Sequence, residues 1–135
     1  MMPTLKSIDH IHVFVANLNA AMTWYKETLG LIPMAELEFW AKDGGPLMTS
    51  DRGKRVHIAL FESAPVKCRS TIALGVGAAE FMAWKHHLGE KFGRKLRHED
   101  HAVSWSLYFN DPDENPYEIT SYEYEELSKM LRAEA

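Results

Sequence analysis

The chain has 135 residues, 46% hydrophobic and 25% charged, which suits one soluble globular domain with its own core. The net charge of −4 and the lack of a long basic run argue against nucleic acid as the main partner, and no apolar run approaches a membrane span. The opening MMPTLKS has no apolar secretion segment, and the single Cys68 cannot form an internal disulfide, so a reducing, cytoplasmic location is expected with Cys68 as an incidental thiol.

Residues 8–15, IDHIHVFV, read as a strand with Ile11, Val13 and Val15 on one face and His10, His12 and Phe14 on the other. Asn17 can cap a helix over 18–29, and Gly30 ends it. Residues 32–40 are expected to form a strand, then a GGP turn and a short strand over 47–50. After the DRGK turn, RVHIALFE (55–62) is a strand that places Val56, Ile58 and Leu60 opposite His57, Ala59 and Phe61. SAPVKCRS (63–70) is a linker by composition.

The pattern then restarts. TIALGV (71–76) is a strand and residues 78–93 a helix closed by Gly93. Strands near 94–98, 104–109 and 116–122 follow, the last two joined by the turn NDPDEN. The tail predicts a short helix with Leu127, Met130 and Leu131 on its apolar side. Each half therefore reads βαβββ. One offset of 61 residues lays Ile11 on Ile72, His57 on Glu118 and His10 on Thr71. The fold class is α+β: a first module over 7–62, a second over 70–122 and a helical tail over 123–135, within one domain of residues 1–135. Two such modules, packed about a pseudo-twofold axis, would turn His10, His57 and Glu118 toward one cavity.

IDHIHVFVANLNAAMTWYKETLGL and SWSLYFNDPDENPYEITSY together resemble the opening and the close of the vicinal oxygen chelate superfamily, which includes glyoxalase I, bleomycin- and fosfomycin-resistance proteins and extradiol dioxygenases. The resemblance covers nearly the whole chain. It implies paired βαβββ modules, each curling into half of a metal-holding barrel, and a homodimer. It places His10 on the opening-strand histidine ligand, Glu118 on the closing glutamate ligand, and His57 where glyoxalase I-like members carry a glutamate. Thr71 departs from the pattern, standing where most metal-binding members have histidine. Glu114 stands where the turn usually has glycine.

Two imidazoles and a carboxylate suit Fe, Mn, Ni or Zn. The alternative for His10, His57 and Glu118 is a hydrogen-bonded polar cluster. His12 lies about 6–7 Å from His10 by strand rise, too far to share one ion easily, and is given a supporting or substrate-contact role. His12, Phe14, Thr71 and Arg55 are the expected pocket residues. His101, in a DH pair that ring-cleaving relatives often carry, and Tyr108 are the expected catalytic groups; histidine's ordinary pKa suits proton transfer near neutrality. His86 and His87 read as surface residues. The implied function is a metal-dependent enzyme acting on a small molecule, leaning to ring cleavage of a vicinal-diol or catechol-like substrate. The alternatives are a glyoxalase-like lyase or isomerase and a metal-free ligand-binding protein of the bleomycin-resistance kind.

Overall fold

A computed structural model of the chain describes residues 1–64 and 66–135; Pro65, within the expected linker, lies outside the described residues. Two compact units follow one another, Met1–Val66 and Lys67–Ala135. Each holds the expected βαβββ order.

In the first unit, β1 (Ile11–Val15) leads to α1 (Leu18–Leu29), β2 (Ile32–Pro33), α2 (Phe39–Lys42), β3 (Leu47–Ser50) and β4 (His57–Glu62). The sheet order is β1-β4-β3-β2, with β1 and β4 parallel and the other pairs antiparallel. Alternation sorts the two faces. Val13, Val15, Ile58 and Leu60 are buried, as are Tyr25 and Leu29 of α1, which packs on β4; on the other face His12 and Phe14 are exposed, but Ala59 is fully buried there too. Each such aliphatic side chain removed from water contributes about 1.5–3 kcal/mol.

Asn17 caps α1 through its side-chain oxygen, which accepts from Ala20 N–H at 2.8 Å. Glu62, just as β4 ends, adds a second acceptor for the same helix end, taking the Leu18 N–H at 2.9 Å. The turn before β4 is held by Asp51, whose Oδ1 accepts the N–H groups of Arg55 at 2.7 Å and Val56 at 2.8 Å. Burial pushes the Asp51 carboxyl up, but these backbone donors outweigh it and hold the group below its ordinary value.

The expected strand over 32–40 is corrected. Only Ile32 and Pro33 pair with β3, and a 3-10 turn over Ala35–Leu37 and then α2 replace the rest. Met34, Leu37 and Ala41 recur at near-helical spacing among the helix formers Ala35, Glu36 and Glu38, and that local preference wins once Pro33 ends the pairing. Gly45 closes this segment: its N–H meets the Trp40 carbonyl at 2.8 Å, and a Cβ there would sit 2.8 Å from the same oxygen.

The second unit repeats the plan with β5 (Ile72–Gly75), α3 (Ala78–Phe92), β6 (His98–Asp100), β7 (Trp105–Asn110) and β8 (Pro116–Ser121), ordered β5-β8-β7-β6 with β5 and β8 parallel. A final helix, α4 (Tyr124–Glu134), buries Leu127 and Leu131 and packs on α3, where Glu134 pairs with Lys85 and His86. His86 is thus an exposed residue engaged in helix pairing. The strand expected near 94–98 begins later. Leu96 is buried without strand pairing, and only residues 98–100 join β7.

Glu123 Oε1 accepts the Ala78 N–H at 2.7 Å. Glu62 and Glu123 are themselves 61 residues apart, so each unit uses a carboxylate at or just past the end of its last strand to cap its own helix.

In the NDPDEN turn Glu114 adopts φ 66°, the left-handed region in which a Cβ is strained. A Glu114→Gly protein should therefore gain about 0.5–1 kcal/mol in urea unfolding, the relief of strain exceeding the added chain entropy. A loss of stability would contradict this account of the turn.

Candidate functional site

The first unit brings its chemistry to one face. Asp9 Oδ2 accepts from His10 Nδ1 at 2.7 Å. A carboxylate only accepts, so Nδ1 carries the proton and a neutral His10 presents a bare Nε2. The His10 hydrogen bond is the main influence lowering the Asp9 carboxyl below its ordinary value, and the nearby His57 and Lys6 charges add to it. The parallel register pairs Ile11 with Ile58, so His57, which opens β4, and His10, just before β1, each stand one step earlier along the chain.

The His12 placement corrects the strand-rise expectation. The His10 and His12 Nε2 atoms are 3.0 Å apart and the ring centroids 5.0 Å. Backbone spacing sets where side chains start, and these two lean toward each other. Beyond them His12 meets Phe61 at 4.6 Å, and Phe61 stacks on Phe14 at 5.5 Å, giving an aromatic ledge on the same face. Arg55 is exposed in the turn before β4, one residue from the strand that carries His57.

The second unit gathers Glu118, Ser106, Thr120, Tyr108 and His101. Tyr108 lies directly across from Glu118, and Ser106 across from Thr120, which puts all four on one sheet face. Ser106 is fully buried, and its hydroxyl donates to Glu118 Oε2 at 2.7 Å while lying 3.1 Å from Thr120 Oγ1. Glu118 Oε1 makes no hydrogen bond among the described residues.

His101 Nε2 meets the Tyr108 hydroxyl at 3.0 Å, so the two expected catalytic groups are in contact. The loop that carries His101 is pinned on both sides. Its N–H reaches the Ser104 carbonyl at 2.9 Å, and Asp100 accepts from Ala102 N–H at 2.8 Å and from the Tyr124 hydroxyl at 2.8 Å. The bond to Asp100 raises the Tyr124 phenol above its ordinary value. Tyr124 stacks on Trp105, whose indole N–H donates to Ser128 at 2.8 Å. Thr71 is exposed immediately before β5.

Sequence reasoning missed Asp9 and the role of Ser106. The signal for Asp9 was its place in a DH pair, the same pair that occurs at Asp100-His101. Ser106 gave only its parity with Tyr108.

Each unit carries a donor of a kind that suits a divalent cation. His10 offers a tautomer fixed by a carboxylate, the arrangement that orients metal-binding histidines, and Glu118 keeps one oxygen for a ligand. Among the described residues, within neither unit do three His, Cys, Asp or Glu side chains gather as a metal-binding group. No helix of the described residues is long and apolar enough to cross a membrane.

Comparison with known proteins defines the class. The family model of the Glyoxalase/Bleomycin resistance protein/Dioxygenase superfamily matches residues 7–119. The chain belongs to this superfamily, the vicinal oxygen chelate proteins, whose members include metalloenzymes. Its fold is similar to that of a protein assigned to the glyoxalase family from Bacillus anthracis, at 24% identity and TM-score 0.68 over 90% of this chain and 99% of that one. It is also similar to the fosfomycin resistance protein FosX from Listeria monocytogenes, complexed with Mn(II) and sulfate, at 16% identity and TM-score 0.65 over 95% and 99%. A glyoxalase/dioxygenase from Nostoc punctiforme gives 18% identity and TM-score 0.64 over 90% and 98%. No curated protein matches the chain.

Proposed function

We propose that the protein is a divalent-metal enzyme acting on a small molecule with adjacent oxygens, leaning to ring cleavage of a catechol-like diol. His10, His57 and Glu118 are its protein donors, and His101 with Tyr108 its proton-handling pair. The observation that carries the reading is the 3.0 Å contact between His101 Nε2 and the Tyr108 hydroxyl, with Tyr108 directly across from Glu118. When bound, the cation would act as a Lewis acid toward the substrate oxygens.

The chain's own groups do the rest. The Tyr108 hydroxyl gives its proton to His101 Nε2 as it takes one from a substrate hydroxyl, so the imidazole ends with the extra proton and the phenol is restored. Ser106 fixes the rotamer of Glu118. The ledge of His12, Phe61 and Phe14 offers a flat apolar surface for a planar ring. A homodimer in the cytoplasm belongs to this reading.

Metal analysis of protein purified without chelators tests it. Near-stoichiometric divalent metal is expected, falling away in His10→Ala, His57→Ala and Glu118→Ala. Oxygen uptake with a catechol panel, set against thiohemiacetal isomerisation, then separates dioxygenase from lyase chemistry. A wild-type protein that takes up no Fe, Mn, Ni or Zn overturns the enzyme reading. Thr71 supports a second reading, since a hydroxyl is a poor ligand where an imidazole is usual. In that case the aromatic ledge binds a planar ligand without metal, and titration of aromatic compounds into chelator-treated protein shows tight binding.

A further inference from the structure

We infer that His12 is itself a metal donor, forming a two-imidazole chelate with His10, the residue just before β1. The inference rests on the metal reading above and adds a ligand to it. Donors at positions i and i+2 of a strand leave the same face, so the backbone already aims both rings the same way. Two imidazole nitrogens bound at about 2.1 Å and near a right angle, as in the tetragonal geometry of Cu(II) or Ni(II), stand about 3.0 Å apart. The observed Nε2 to Nε2 separation is 3.0 Å.

Both rings present the nitrogen that faces away from the backbone. As it stands, His12 Nε2–H donates to the bare Nε2 of His10. Moving the His12 proton from Nε2 to Nδ1 converts this hydrogen bond into a pair of donors, with no net proton gained or lost. His12 is exposed, so solvent can accept the Nδ1–H. The Phe61 ring at 4.6 Å limits where the His12 ring can swing, and Asp9 holds His10. The chelate supplies a second imidazole in a chain whose Thr71 cannot.

The test uses the full-length protein and Cu(II) or Ni(II) alone. His12→Phe keeps a ring against Phe61 and removes the nitrogen, so it separates ligation from packing. Calorimetric titration should show metal affinity at least 30-fold weaker in His12→Phe than in wild type. Pulsed electron paramagnetic resonance of the Cu(II) form should count one imidazole fewer. Unchanged affinity and imidazole count in His12→Phe, with binding still lost in His10→Ala, would overturn the role of His12 and leave the metalloenzyme reading intact. A wild type that binds neither ion would overturn both.

Discussion

An Asp111→Ala protein is expected to be about 3 kcal/mol less stable than wild type in urea unfolding. Asp111 and Asn115 are both buried, at 4% and 6% exposure. Asp111 Oδ1 accepts the N–H groups of Asp113 at 2.9 Å and Asn115 at 2.8 Å, and Oδ2 accepts from Asn115 Nδ2 at 2.8 Å. The backbone closes the same loop, with Asp111 N–H on the Asn115 carbonyl at 3.0 Å.

A hydrogen bond to a charged group is worth about 1.5–3 kcal/mol, and such bonds within one turn do not add fully. Alanine would also strand buried backbone donors, which is why the cost exceeds that of one bond. Asp111→Asn keeps an acceptor but sets one amide against another at Asn115, so roughly half the loss is expected. A change below about 1 kcal/mol for alanine would show that the β7–β8 pairing, not this turn, sets the loop. The turn matters beyond stability because it joins the strands that carry Tyr108 and Glu118.

The second large effect is on the proposed cation binding. Ser106→Ala should weaken divalent-cation binding by about 10–100-fold, the usual consequence of deleting a group that orients a ligand. Ser106 is wholly buried and gives its proton to Glu118 Oε2 at 2.7 Å. Without it that carboxylate gains rotamers, and ordering them again counts against binding. Stability should change far less, by about 1 kcal/mol, because Thr120 remains beside the vacated space. Calorimetric titration of the cation together with urea unfolding separates the two effects. Cation affinity within threefold of wild type would remove Ser106 from the site.

Much of this was legible in the chain because its periods are clean. Ile11-Val13-Val15 and Ile58-Leu60 recur at every second position, and the offset of 61 residues carries the repeat in the sequence itself. What escaped had physical causes. Residues 32–40 mix a two-residue and a three-residue apolar spacing, and after Pro33 local helix preference decided between them. Arg94 to Arg97 looked like a strand, yet pairing needs a neighbour, and β7 offers one only from His98 onward. Side-chain direction was the larger blind spot. Strand rise alone separated His10 from His12, whereas χ angles brought their nitrogens together. No pattern in the sequence announces that Ser106 leans on Glu118 rather than on solvent, or that His101, seven residues from Tyr108, folds back to touch it.

The two-sided character of β1 and β4 has a consequence for how such a protein can change. Val13, Val15, Ile58 and Leu60 carry the folding, while His12, Phe14, His57 and Phe61 belong to the opposite face. Mutations can wander over that second face with little toll on the first, since successive side chains share a backbone but not a neighbourhood. A chain built this way can exchange residues on the second face and trial new ligands there while remaining folded throughout.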